Sequence, residues 1–196
     1  MSASGNNEVL DGLALSPLYY GWVAQNYTRF NGIACLCNWF PLNVLVEFAA
    51  DKGFRVRLDY WPGSAPNTPT KERFWDTSKK LIFDSHGGEF ENKTQYLSRV
   101  RSKVTARMIG SLNSVAITQS EARAGDLVSR DYNDRYWHVE LITNVSAGVI
   151  TTQAGSAPDP VVPKEHENKY YRSLADQSSV FQGKPRRWEF EEVLSS

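Results

Sequence analysis

The chain has 196 residues, and its 22 basic and 22 acidic side chains leave no net charge that would draw it to nucleic acid or to an anionic membrane. Hydrophobic residues make up 41% and charged residues 22%, which excludes a disordered or fibrous chain and permits a sizeable core. We therefore expect neither a nucleic-acid nor a membrane partner. The length predicts a single domain over residues 9–196, after a disordered start at residues 1–8.

The N-terminus has no basic segment followed by an apolar run, so the sequence predicts synthesis in the cytoplasm without a signal peptide. If the protein acts in the periplasm or the cell wall, another machine must export it. The two cysteines, Cys35 and Cys37, are separated by one residue, which is too close for an unstrained disulfide. Two thiols and three scattered histidines are too few for a structural zinc site, so we predict no metal and no cofactor.

Helical patterns dominate the first half of the chain. Ser16 and Pro17 are typical of a helix start, and Lys52-Gly53 is typical of a helix end. Residues 54–60 alternate between apolar and polar types, which predicts a half-buried strand. Apolar spacing predicts helices over residues 16–30, 38–51, 70–83 and 93–109.

Strand patterns dominate after Gly110. They cover residues 115–117, 126–128, 137–145 and 148–152, with further edge strands predicted at 170–171 and 186–190. Helices followed by a meander predict an α+β fold in which N-terminal helices pack on a C-terminal antiparallel β-sheet.

The predicted nucleophile is Cys37, which comes directly before the most apolar helical pattern. A helix N-terminus carries a partial positive charge and free N–H groups, and both favour thiolate over thiol. Cys35 is the alternative nucleophile, although a small core residue is the commonest role of a free cysteine. The same inert role is the alternative for Cys37.

The predicted base is His138, because His86 and His166 lie in turn-like or charged segments typical of the surface. His138 begins an apolar strand, and alternation places it on one face with Glu140 and Ile142. A hairpin centred on residues 145–148 brings Gln153 level with His138, where its amide would orient the imidazole.

Two segments resemble the CHAP and NlpC-type cysteine amidases and peptidases. Cys37-Asn38-Trp39-Phe40 is similar to the start of the nucleophile helix of that superfamily. Residues 124–128, 138–142 and 148–151 are similar to its Gly-Asp strand, its His-Val strand and the strand that follows. The resemblance covers residues 33–50 and 122–154 and implies a papain-like core in which cysteine attacks and histidine is the base.

The resemblance implies a thiol hydrolase that cuts an amide bond in a peptide or in peptidoglycan, as a phage lysin or an antibacterial effector does. A cognate immunity or inhibitor protein is then an expected partner. We predict that Trp39, Trp61 and Trp137 contact the substrate. Gln25 or Asn31 would supply a second oxyanion donor.

Two other functions agree with the same residues. A thiol acyltransferase or transglutaminase-like enzyme would use the same thioester. A non-catalytic binding domain would instead bury both cysteines and use Tyr60-Trp61-Pro62-Gly63 and Arg186-Arg187-Trp188 as contact surfaces.

Overall fold

The buried core is built around one helix, α2 (Trp39–Lys52). Its apolar residues are buried on nearly every side, because other helices and the large sheet surround it. Phe48 packs edge-on against Tyr19 and Trp22, with ring centroids 5.1 and 5.9 Å apart. Gly53 ends the helix in the left-handed conformation, at φ 75°, as the sequence predicts.

The structure is a computed structural model that describes residues 12–61, 79–83, 93–132, 136–147, 149–155, 160–168 and 183–195. The other helices are α1 (Gly12–Asn26), α3 (Lys93–Lys103), α4 (Ala106–Leu112) and α5 (Phe190–Val193). Short 3₁₀ turns follow at Tyr27–Phe30 and Gln119–Glu121. The predicted disordered start lies outside the described residues, and the prediction of one domain stays a prediction.

Two antiparallel sheets accompany the helices. Strands β1 (Arg55–Tyr60), β2 (Lys79–Phe83) and β9 (Leu194–Ser195) form a small sheet in the order β2-β1-β9. The larger sheet has the order β3-β8-β4-β5-β6-β7. Its strands are β3 (Ser114–Ala116), β4 (Leu127–Tyr132), β5 (Tyr136–Ser146), β6 (Val149–Ala154), β7 (Lys164–Asn168) and β8 (Lys184–Trp188). The described residues therefore confirm an α+β fold with helices and antiparallel sheets.

The structure corrects three helix predictions. The first helix begins at Gly12, so Pro17 lies within it and Ser16 is not its cap. Residues 79–83 of the predicted helix over 70–83 form β2, and the rest lies outside the described residues. The helix predicted over 93–109 is two helices, because Thr105 turns extended and caps α4 by accepting a bond from the Met108 N–H.

Strands form where the sequence predicts them at residues 54–60, near 115–117 as β3, and through the meander β4-β5-β6. Strand β8 lies between β3 and β4, so it is not an edge strand. The two edges of this sheet are β3 and β7, and β7 lies in a charged segment that the sequence analysis assigned to the surface. Residues 170–171 lie outside the described residues. Trp188 is buried, which removes it from the contact surface expected for a binding domain.

Asp126 joins α1 to the large sheet. Its carboxylate is fully buried and accepts hydrogen bonds from Tyr20 at 2.9 Å and, through both oxygens, from Arg187 at 3.0 and 2.9 Å. Gly125 precedes it at φ 104°, and a Cβ there would lie 2.9 Å from the Tyr20 ring. The Gly-Asp pair therefore holds α1 against the large sheet. The hydrogen bonds to Asp126 offset the cost of burying its carboxylate.

Gly155 lets the segment that carries the thiols pack against the end of β6. A Cβ built at Gly155 would lie 1.7 Å from the carbonyl oxygen of Cys35. Cys35 also forms an isolated antiparallel bridge with Val161, with N···O distances of 3.0 and 3.3 Å. The segment that carries the two thiols is thus fixed by backbone contacts with Gly155 and with Val161.

We predict that Gly155→Ala destabilises the fold by about 1–3 kcal/mol, because the added methyl must displace backbone atoms. The measurement is the urea midpoint of unfolding. Gly32→Ala is the control, since no heavy atom lies within 4 Å of a Cβ there. Equal midpoints for the two variants would contradict the predicted contact.

Candidate active site

The structure places Cys37 just before α2. Its side chain is buried, and the next residue, Asn38, is anchored by a 2.8 Å hydrogen bond from its amide to the Val104 carbonyl. The Trp39 N–H donates to the Leu36 carbonyl at 3.0 Å, which closes the turn around Cys37. The sulfur therefore lies at the end of α2 where the first N–H groups have no partner within the helix.

His138 lies between Cys37 and Glu140. The imidazole is hydrogen-bonded to the side chains of both, and its Nε2 is 3.2 Å from Glu140 Oε1. The side chain is 15% exposed, so it reaches the protein surface while both its partners are buried.

The pKa of His138 is raised from its ordinary value of 6.5 to about 9. Burial acts to lower it, but the hydrogen bonds with Cys37 and Glu140 and the negative charge of Glu140 outweigh burial. These contacts favour the protonated form of the imidazole. A protonated imidazole beside a thiol is the partner that an ion-paired thiolate requires.

Glu140 is the residue that orients His138, and sequence reasoning missed this role. Its carboxylate also lies 3.2 Å from the Arg130 guanidinium and accepts a hydrogen bond from the Thr152 hydroxyl. Burial acts to raise its pKa, yet these three partners lower the pKa to about 2. The sequence did contain a signal for this role, because strand alternation places Glu140 on the same face as His138.

Gln153 does not orient the imidazole. The β5–β6 register pairs it with Leu141, three residues past His138, and directly paired residues share a sheet face. Its side chain is buried and donates to Glu165 at 3.4 Å. The prediction fails because the hairpin turn lies later than assumed and a bulge falls between Ile142 and Asn144.

Cys35 lies in a different environment from Cys37. Burial raises the pKa of its thiol to about 11, against smaller opposing effects of Arg101 and a hydrogen bond from the Gly155 backbone. The histidine contact belongs to Cys37. The structure thus brings together Cys37 and His138, the pair that the sequence predicts, and gives Cys35 the environment of a core thiol.

The three predicted substrate-binding tryptophans lie in different settings. Trp39 is half-buried on α2, and its indole N–H donates to the Arg101 carbonyl at 3.3 Å. Trp61 is only 8% exposed, with the Arg107 guanidinium 5.7 Å from its ring centroid, and its role in binding stays a prediction. Trp137 pairs with Asp131 through the backbone, and its side chain lies outside the described set.

The second oxyanion donor stays a prediction. Gln25 is exposed on α1, and Asn31 follows the 3₁₀ turn with its side-chain oxygen buried. Of the other two histidines, His86 lies outside the described residues, and His166 belongs to β7.

Within the described ranges, no group of three or more His, Cys, Asp and Glu side chains is arranged to hold a metal ion. No helix in that part of the chain combines the length and apolar character needed to cross a bilayer. Comparisons with protein-family models, with curated proteins and with solved structures find no match.

We predict that Glu140→Gln lowers the pKa of His138, because the variant removes the negative charge that favours the imidazolium. In the wild type, the imidazole NMR signals of His138 should titrate near pH 9. In the variant the midpoint should fall by about one unit or more. Glu121→Gln, at an exposed site, should leave the midpoint unchanged, and an unshifted His138 in Glu140→Gln would contradict the assigned contact.

The same carboxylate predicts a pH dependence of stability. The folded-state pKa of Glu140 is about 2, below its ordinary value of 4.5, so its stabilising effect is complete above pH 4.5 and is lost as pH falls towards 2. The difference between these two pKa values corresponds to about 3 kcal/mol of unfolding free energy, at ~1.4 kcal/mol per pKa unit. The difference in unfolding free energy between wild type and Glu140→Gln should therefore shrink by that order between pH 5 and pH 2. If the difference in unfolding free energy stayed constant across this pH range, the pKa of Glu140 would not be lowered in the folded protein.

Proposed function

We propose that this chain is a thiol hydrolase that cleaves an amide bond with Cys37 as nucleophile and His138 as its acid and base. The single observation that carries the proposal is the position of the His138 ring, hydrogen-bonded to the Cys37 side chain on one side and to the Glu140 carboxylate on the other. Glu140 orients the ring and favours its protonated form. Nucleophile, base and orienting group in this order are the arrangement that thiol catalysis needs.

The proposed reaction has two halves. The Cys37 thiolate attacks the carbonyl carbon, and the N–H groups at the start of α2 stabilise the oxyanion. Protonated His138 gives its proton to the leaving amine as the C–N bond breaks, which leaves a thioester and a neutral imidazole. His138 then takes a proton from water, which attacks the thioester to release the acid and regenerate the thiolate and imidazolium.

The substrate is proposed to be a peptide, and peptidoglycan in particular. This part rests on the resemblance of residues 33–50 and 122–154 to CHAP and NlpC-type enzymes with a papain-like core. The α+β arrangement, with a thiol before a buried helix and a histidine on the sheet, supports that likeness. A lysin or an exported antibacterial effector, with an inhibitor protein as partner, fits such a substrate.

Acyl transfer is the second candidate, because the same thioester can be resolved by an amine instead of water. A binding domain fits less well. Four ionisable side chains, Cys37, His138, Glu140 and Arg130, meet in one buried row, and recognition by aromatic residues does not require such a row.

We predict that iodoacetamide alkylates Cys37 faster than Cys35, at pH 6 as well as at pH 8. In the proposed mechanism His138 activates Cys37, whereas burial raises the pKa of the Cys35 thiol to about 11. Peptide mapping by mass spectrometry gives both rates in one sample. His138→Ala should slow Cys37 alkylation by about tenfold or more at pH 6 and leave Cys35 unchanged. Equal, slow reaction of both thiols would refute thiol catalysis.

We predict that the wild type releases fragments from purified peptidoglycan and that Cys37→Ala does not. Cys35→Ala is the matched control and should retain activity. Mass analysis identifies the bond that is cut, and added amine acceptors distinguish hydrolysis from transfer. Release by Cys37→Ala at the wild-type rate would assign the chemistry to another residue.

A further inference from the structure

A cavity of about 380 Å³ lies where the end of α1 meets strands β5, β6 and β7. Thr143, Asn144 and Thr151 line it from the end of the large sheet at which β5 turns into β6. Asn144 is six residues along β5 from His138, which corresponds to about 20 Å along the strand. The cavity is therefore separate from the proposed catalytic site.

One carboxylate, that of Glu165 on β7, lines the cavity and is held in a fixed orientation. Its Oε1 accepts hydrogen bonds from the Tyr27 hydroxyl at 3.0 Å and from the Gln153 side-chain amide at 3.4 Å. No donor in the described part of the chain bonds to its Oε2, and the residue is exposed. The carboxylate is thus oriented by two neutral groups and keeps an oxygen for a ligand.

The Gln153 side chain places a second acceptor without a donor next to this carboxylate. Because an ionised carboxylate only accepts hydrogen bonds, the amide nitrogen of Gln153 must be the atom that faces Glu165. Its Oε1 is then buried with no hydrogen-bond partner among the described residues, in a side chain that is 1% exposed. Acceptors therefore outnumber donors around Glu165.

The C-terminal end of α1 adds a partial negative charge. Ala24 lines the cavity from the last turn of this helix, which contains no basic side chain. Arg29, in the 3₁₀ turn that follows, pairs with Asp51. The described lining holds no Lys, Arg or His. A carboxylate, a helix C-terminus and surplus acceptors together favour a positively charged donor.

We propose that this cavity is a binding site for the primary ammonium group of a small aliphatic amine. The ammonium donates to Glu165, and the side-chain oxygens of Asn144 and Thr151 accept its other N–H groups. The small side chains of Ala24 and Ala124 leave room for the alkyl chain. The volume is at the lower end of the range for ligand sites, so it suits a chain of a few carbons. The proposal is independent of thiol catalysis.

The test is an NMR titration of the full chain with butylammonium chloride, at an ionic strength held constant with NaCl. The backbone amide signals of Thr143, Asn144 and Thr151 should shift and saturate with a midpoint of about 1–10 mM. Butan-1-ol has the same carbon chain without the charge and should produce no saturable shift. Equal effects of the two probes, or no saturable shift with butylammonium, overturn the proposal.

Butyltrimethylammonium carries the charge without an N–H donor, so it should bind about tenfold more weakly than butylammonium. Equal binding of these two cations would contradict a site for a primary amine. This comparison separates hydrogen bonding by the ammonium from attraction to the negative charge alone.

Variants test the charge and the space separately. Glu165→Gln should weaken butylammonium binding by about tenfold or more, while Glu191→Gln, at an exposed carboxylate on α5, should not change it. Ala24→Leu fills the cavity from an exposed helix position and should also weaken binding, whereas Gln25→Leu, the next exposed residue of α1, should not. Wild-type affinity in either Glu165→Gln or Ala24→Leu contradicts the assigned site.

Discussion

The contact between His138 and Glu140 is the interaction on which the rest of the site depends. A carboxylate in the sheet interior is costly unless it is paired, and Arg130 and Thr152 provide the necessary partners from the two flanking strands. These partners lower the pKa of Glu140, and the charge of Glu140 raises the pKa of the neighbouring imidazole. Cys37 lies at the other side of the same imidazole. Thus β4, β5 and β6 all contribute to the charge state of a histidine that only β5 carries.

Local patterns, together with the resemblance to the CHAP and NlpC-type enzymes, predicted the pair Cys37 and His138. A thiol before an apolar helix and a histidine opening an apolar strand are visible as short-range features, and α2 and β5 form where those patterns predict. Glu140 was visible in the same way, since it shares a strand face with His138. The amide Gln153 was chosen instead because its position was judged from a hairpin register, and register depends on where the turn closes and where a bulge falls.

The parts of the fold that sequence patterns missed are those decided by tertiary contacts. Thr105 interrupts a continuous helical pattern because its side chain caps α4, and the resulting bend brings Val104 to Asn38. The polar, charged segment at residues 164–168 forms a strand because β6 offers it a free edge. In both cases the local residue types favour one structure, and a partner distant in sequence selects another.

Gly155 and the C-terminal end of α3 contact the segment that carries the two thiols from different directions. At Gly155 the missing side chain admits the carbonyl of Cys35, so the path of the chain before Cys37 is set by close backbone packing. At α3, hydrogen bonds to Asn38 and Trp39 fix the residues after it. The sulfur is therefore positioned by contacts on both sides of it rather than by helix α2 alone.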